Sequence, residues 1–460
     1  PELEGRGIRH YALPVHRKNI FAVMSCVKKL RRIILEERID IVHARSRVPA
    51  WIAFFACRRT PAQFLTTCHG HYSVQIFSRI MAFSKLIIVP SQVIGRHMID
   101  HFHFPPENVR CIPRSVDLEK FSAVRQDDPG RSQSVITIVG RLTPLKGHAY
   151  FLKAMAKVVR SAPYVKILIV GDAPKKKEYY RQELEVLTRH LGLSEHVEFL
   201  GKRKDIPQIM AASDVVVMSS IEPEAFGRVI IEAQAAGTPV VATSVGGIVE
   251  VVEHEKTGLL VLPKDIDAMA GAVLRVLNDK KLARDLVSAA RRRLEEEFTL
   301  EKMAERTIRV YEELMEQLNI LIIKMTALGD VILLTPSLRA IRRRYPQARI
   351  CCLTDERSRE ILQRCPHIDE LIEIDLKDRD RGTLGAVRFS RRLSRYHFDK
   401  VIDFQNNRTS HLLGWLCFAR HTYGYRNKKL GFLLTDPVIN PDHSLPAVKH
   451  QFQILNMLDI

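Results

Sequence analysis

From residue 39 to residue 425 the chain alternates short apolar runs with helix-like segments, and most of the runs stop at Gly, Ser or Thr. IDIVHAR (39–45), FLTTCHG (64–70), KLIIVPS (85–91) and NVRCIP (108–113) form a first series. VITIVG, VKILIVG, HVEFLG, DVVVMSS, PVVATS and GLLVL form a second, from about residue 134. Runs this apolar suit strands buried on both faces, which occur in parallel sheets covered by crossover helices. A small residue at the strand end lets the chain turn and lets backbone amides face a ligand. The fold class is therefore α/β, built from Rossmann-like layers. The charged, Pro- and Gly-bearing stretch KFSAVRQDDPGRSQ (120–133) reads as a linker. An amphipathic stretch from DAMAGAVLRVL to about Leu318 closes the second series, and at Asn319 the pattern restarts with NILIIKMTALGDVILLTPSLRAIRRRYPQARICCLT. LIEID, KVIDF and HTYGY continue it. These breaks predict units at 1–125, 126–318 and 319–460, in keeping with a chain too long for one core.

A net charge of +19 directs attention to anionic partners: nucleic acid, phosphorylated substrates or a membrane surface. The basic residues are dispersed (VKKLRRI, AIRRRYP, SRRLSR) without an RNA-recognition aromatic pattern, so no nucleic acid is expected. Many of them read simply as solvated helix faces. Basic helices also suit an anionic leaflet, at about 1 kcal/mol per nearby Lys or Arg. The 8 cysteines form no C-x-x-C pair and most sit in apolar runs, as reduced thiols of a cytosolic enzyme do. No apolar run reaches the ~18 residues of a spanning helix. No signal peptide is visible, in a chain that starts at Pro1.

Two segments carry the chemistry. VGRLTPLKG (139–147) puts Gly140, Arg141 and Lys146 in a loop leaving a strand. A helix N-terminus there already favours anions, and two cations suit a diphosphate and its departure. The plainer reading is exposed loop charge. EPEAFGRVIIEAQAAGTPVV (222–241) spaces Glu224 and Glu232 around a Phe226–Gly227 turn and a helix start. Carboxylates there suit sugar hydroxyls, with the Phe226 and Gly227 amides alongside; the plainer reading is acids complementing a helix dipole. Glu222 reads as solvated. The histidines are scattered, and HFHF (101–104) suits packing, so no metal site is expected. Neither a Ser/His/Asp arrangement nor a Walker loop is visible.

With VGRLTPLKG, the Glu224 and Glu232 pair, GTPVVATSVGGIVEVV and HEKTGLLV, residues 1–318 resemble a retaining glycosyltransferase of family 4. The resemblance implies a GT-B fold, two Rossmann-like domains facing a cleft, with a nucleotide-sugar as substrate and no metal or other cofactor. It implies that Arg141 and Lys146 hold the donor diphosphate, Glu232 the ribose, and Glu224 with Phe226 and Gly227 the transferred sugar. His69 in TTCHGHYS matches the histidine that faces the sugar, with His71 as the other choice. PSQVIGRHMIDHF and CIPRSVDLEKF match the end of the family's first domain, with Arg114 where Asn is usual. Only GIRHYALP precedes the first long helix, so the first strand and its glycine-rich loop are expected to be missing.

IIKMTALGDVILLTPSLRAIRRRYPQA and VIDFQNNRTSHLLGWL resemble the N-terminal half of the family 9 heptosyltransferases, inverting enzymes of GT-B fold. Asp330 then falls where a general base would take the acceptor's proton; it also suits a helix cap. Arg408 is a candidate contact for an acceptor phosphate or carboxylate. No second Rossmann layer follows, so this third half-unit is expected to be inactive alone and the front of a longer fusion. Together the resemblances imply transfer of a sugar, with retention, to a lipid-linked anionic glycan acceptor in lipopolysaccharide core synthesis. The expected location is cytoplasmic, peripheral on the inner leaflet. The other readings are a GT-B epimerase or hydrolase, or a truncated non-catalytic module. The oligomeric state, nucleotide and sugar are not legible.

Overall fold

The computed structural model describes residues 5, 7–15, 20–58, 60–122, 133–174 and 177–460; most of the linker read at 120–133 lies outside them. Three parallel sheets follow in order along the chain. The first joins β1 (Ile41–Ala44), β2 (Gln63–Thr67), β3 (Ile87–Val89) and β4 (Val109–Cys111) in sequential order. The second contains β5 (Ser134–Val139), β6 (Val165–Val170), β7 (Val197–Gly201), β8 (Val215–Met218), β9 (Val240–Thr243) and β10 (Leu259–Val261). Its order is β10-β9-β8-β5-β6-β7. The third contains β11 (Asn319–Ile323), β12 (Arg349–Thr354), β13 (Glu370–Glu373), β14 (Lys400–Asp403), β15 (His421–Tyr425) and β16 (Asp436–Val438), in the order β13-β12-β11-β14-β15-β16. Edge strand β16 carries Pro437, which breaks the apolar pattern and hides it from sequence reading. Among the described residues no strand precedes β1.

The second sheet shows why apolar runs become inner strands. Every residue of β8 and of β9 is buried, because helices cover both faces. Phe151, Leu152 and Met155 of the helix His148–Ser161 pack one face with Val273 and Val276 of the helix Ile266–Asn278. Ile230, Ile231 and Ala233 of the helix Arg228–Ala235 pack the other with Leu294 and Phe298. Strand order reverses between β5 and β8, so the loops leaving these two neighbours diverge and open a crevice at their carboxyl ends.

The closing helices, read from sequence as part of the second unit, divide. Helix Leu300–Glu316 returns to the first sheet, where Val310 and Leu314 pack on Leu65, Leu86, Ile88 and Ile112. Tyr311 Oη lies 2.9 Å from His43 Nδ1, and Arg110 pairs with Glu313. The amphipathic period sets a helix's buried face but not the sheet that buries it.

The third sheet meets the first through Phe418, whose ring packs on Phe54 and Phe83, and through the buried carboxylate of Asp399. That carboxylate accepts from Lys85 Nζ (3.1 Å), Arg420 Nη2 (2.7 Å), Gln63 Nε2 (3.3 Å) and the Asn319 amide (2.8 Å). Arg420 also donates to the Pro61 carbonyl at 2.6 Å.

Candidate active site

The loop after β5 and the loop after β8 meet at the reversal point. Gly147 ends the short turn Pro144–Lys146 at φ +69°, and a Cβ there would lie 1.9 Å from the Ser219 carbonyl oxygen. The close approach therefore requires glycine. Ser219 Oγ donates to the Lys146 carbonyl at 2.9 Å, and the Ile221 amide donates to the Leu145 carbonyl at 2.9 Å. Lys146 is thereby fixed facing the second loop. Its Nζ donates to Glu224 Oε1 at 2.5 Å, an oxygen that also accepts from Ser220 Oγ at 2.6 Å. The Glu224 backbone bridges Gly246, and its carbonyl accepts from the Gly247 amide at 2.7 Å.

Phe226 points into the core, its ring centroid 5.8 Å from that of Phe298, so its backbone amide is what it can offer a ligand. Gly227, at φ +96°, turns the chain into the helix Arg228–Ala235 and presents that helix's N-terminus to the crevice. Glu232, one turn on, is largely buried and pairs with Arg228 at 2.8 Å. Burial raises its pKa, and Arg228 works against that rise. Gly140 is the first residue after β5, and Arg141 beside it is exposed.

The first sheet supplies the opposite wall. Ser91 Oγ donates to the Ala225 carbonyl at 2.7 Å. Glu250, on the second unit, accepts from the amides of Gln92 (2.8 Å) and Val93 (3.0 Å) at the start of the helix Gln92–Phe102. His69 follows β2, with Nε2 3.2 Å from Arg45 Nε and Nδ1 2.8 Å from Arg114 Nη2. Burial, then Arg114 and Arg45, push its pKa down to about 4, so the ring is neutral near pH 7. Burial, then His97, lowers the pKa of His71, and the Glu224 carboxylate opposes that shift. The structure thus gathers His69, Gly140, Arg141, Lys146, Glu224, Phe226, Gly227 and Glu232 around one cleft. Sequence reading missed Arg45, Ser91, Ser220 and Glu250. Arg114 was marked only as a departure from the family pattern.

Asp330 stands apart, at the carboxyl end of β11 in the third sheet. It makes no capping bond to its helix, Leu328–Ile332; instead it accepts from Lys324 Nζ at 2.9 Å. Both line a cavity of about 390 Å³ with Gln405, Asn406, Arg426 and His450, at the β11/β14 reversal. Arg408 is exposed at the start of the helix Arg408–Leu416 and does not line that cavity.

The cleft and its paired nucleotide-type crevice define a glycosyltransferase of GT-B fold. Residues 123–293 match the model for glycosyl transferases group 1, and residues 1–120 match that for glycosyltransferase family 4. An uncharacterized glycosyltransferase of Methanocaldococcus jannaschii is 30% identical, in an alignment covering 65% of this chain and 82% of that protein. The chain belongs to the group 1 glycosyltransferases. An Escherichia coli UDP-Gal:alpha-D-GlcNAc-diphosphoundecaprenol alpha-1,3-galactosyltransferase is 29% identical, over 60% of this chain and 76% of its own. Among solved structures, a Rickettsia africae glycosyltransferase superposes with a TM-score of 0.62 at 29% identity, covering 68% of this chain and 86% of that one. Anabaena HepE in complex with UDP gives 0.55 at 28% identity, covering 64% and 82%.

Proposed function

We propose that residues 1–318 transfer a sugar from a nucleotide-sugar to a hydroxyl of a glycolipid or oligosaccharide acceptor, with retention of configuration. The observation that carries this reading is the Lys146–Glu224–Ser220 constellation at the strand-order reversal of the second sheet. A diphosphate entering beside the helix N-terminus competes for Lys146 and leaves Glu224 to accept a sugar hydroxyl. Arg141 and Lys146 then neutralise the departing diphosphate, so no metal is required at the phosphates. Glu232 takes the ribose, and neutral His69 reaches the sugar from the facing wall when one of the two arginines beside its ring gives up that contact. The acceptor hydroxyl attacks the anomeric carbon on the face the diphosphate leaves, and its proton passes to the leaving phosphate oxygen.

The acceptor reading extends to an anionic, lipid-linked glycan of the lipopolysaccharide core, met at the cytoplasmic face of the membrane. No helix among the described residues is long and apolar enough to cross a membrane. Support for surface contact comes from Val74, Ile76 and Phe77, exposed at 55%, 76% and 74% on the loop that follows His69 and Tyr72. For residues 319–460 we propose a heptosyltransferase-like half-unit in which the Asp330 cavity would receive an acceptor.

A screen of UDP-, GDP- and ADP-sugars, read by mass spectrometry with and without inner-core oligosaccharide, tests the reading. Product NMR then gives the anomeric configuration. Acceptor-dependent product with retained configuration is expected, as is its loss in Arg141→Ala. Sugar release or epimerisation without acceptor would instead establish a hydrolase or epimerase.

A further inference from the structure

We infer that Arg45 and Arg114, on either side of His69, form an anion subsite on the first-sheet wall of the cleft, and that it receives a phosphate or carboxylate of the acceptor. The inference rests on the reading above that the second-sheet wall holds the donor.

The argument is one of unmet hydrogen bonds and unpaired charge. A neutral imidazole offers one acceptor nitrogen and one N–H. Here both ring nitrogens face guanidinium donors, Arg45 Nε at Nε2 and Arg114 Nη2 at Nδ1. Whichever tautomer the ring adopts, one arginine meets an N–H and lacks an acceptor. Protonating the ring makes both contacts repulsive.

Charge points the same way. Arg114 is half-buried, and neither it nor Arg45 pairs with a carboxylate among the described residues. Burial, then Arg45 and, from across the cleft, Arg228 disfavour the charge on Arg114, and Tyr72 opposes them. A desolvated cation among cations is costly unless an anion joins it. Guanidinium forks match phosphate and carboxylate oxygens two at a time, which a lysine at either position would not do.

Position separates this site from the donor diphosphate. Arg45 follows β1 and Arg114 follows β4, both on the first sheet, whereas Lys146 and Arg141 follow β5 on the second. An anion held at Arg45 and Arg114 lies beside His69, where an attacking hydroxyl must approach the transferred sugar.

Inorganic phosphate is the probe, titrated by calorimetry and thermal shift into the full chain, both free and saturated with UDP or GDP. Phosphate is expected to bind alongside the nucleotide. Arg45→Gln and Arg114→Gln should each weaken phosphate roughly tenfold or more, the loss of a charge-assisted bond, with nucleotide affinity unchanged. Arg114→Gln should leave the ligand-free Tm equal or higher, because it removes an uncompensated charge. Phosphate that competes with nucleotide would assign the arginines to the donor diphosphate and overturn the proposal. So would phosphate binding that neither variant alters, or no phosphate binding at all. If the wild type binds no nucleotide, the donor reading fails separately, and the phosphate titration of the free protein still decides the subsite.

Discussion

Lys146 and Glu224 neutralise each other across the cleft, and on the proposed reading a donor diphosphate competes with Glu224 for that cation. The cation is thus kept in place, in a loop that Gly147 and Ser219 hold rigid. If Lys146 stabilises the leaving diphosphate as proposed, Lys146→Ala should lower kcat by roughly 10²–10³ in a steady-state transfer assay. Glu224→Gln keeps the shape and the Ser220 contact but not the charge; a kcat within twofold of wild type, an order-of-magnitude margin, would remove Glu224 from the mechanism. Histidines make a second prediction. Burial pushes His43, His69 and His148 down to about 4, while in the unfolded chain they titrate near 6.5. Between about pH 4 and 6.5 the unfolded state binds more protons, so stability rises with pH across that window. The urea midpoint should therefore be lower at about pH 5 than at about pH 7.5, and equal midpoints would contradict it. The donor-side residues were legible because a strand, a turn and charges in one short segment already specify an anion site. Arg45 was not, because ARSR carries no pattern that says which wall of a cleft it faces.

The helix Gln92–Phe102 shows what an element gains from a neighbour. In its first turn the Ile94 amide donates to Ser91 Oγ at 3.3 Å, an ordinary cap. Two further amides go to Glu250 of the second unit, whose carboxylate complements the helix dipole. The cap therefore also ties the two walls of the cleft together, next to the Ala225 carbonyl to which Ser91 donates. Glu250→Ala should cost about 1 kcal/mol, the scale of a lost cap, and widen the ligand-free cleft. Small-angle scattering reads this as a larger radius of gyration that nucleotide reverses, with Glu250→Gln between variant and wild type. An unchanged radius in Glu250→Ala would mean other contacts hold the closure. Elements themselves were mostly legible, since apolar runs, many of them ending in small residues, marked fifteen of the sixteen strands among the described residues. Pairings between distant elements were not. The return of Leu300–Glu316 to the first sheet, like the Glu250 cap, depends on which surfaces are left bare after folding.

At the scale of the whole molecule, a buried carboxylate stands at the join between the first and third sheets, beside Phe418 of the third unit packed on Phe54 and Phe83 of the first. Asp399 is almost fully buried. Burial alone would raise its pKa, but Lys85 and Arg420 together with the Asn319 amide hold it below the usual carboxylate value. Nothing in HFDKVIDF marked this aspartate, because before folding it looks like a polar residue opening a strand; its partners come from Gln63, Lys85 and Arg420, distant in sequence. The cost of the join is asymmetric. Burying the pair is not strongly stabilising in itself, yet removing one member leaves Lys85 and Arg420 charged and uncompensated. Asp399→Ala should therefore destabilise by about 3–5 kcal/mol, more than most single substitutions. Asp399→Asn retains acceptors for the Asn319 amide and Lys85 and should cost less. Calorimetry supplies a readout that a purely local loss would not give. If the network couples the two sheets, Asp399→Ala should split an unfolding transition of the wild type into two, with the component from residues 319–460 melting first. A single transition merely shifted to lower temperature would mean that the remaining contacts, the Phe418 packing on Phe54 and Phe83 and the helix Leu300–Glu316 that runs into β11, are what couple them.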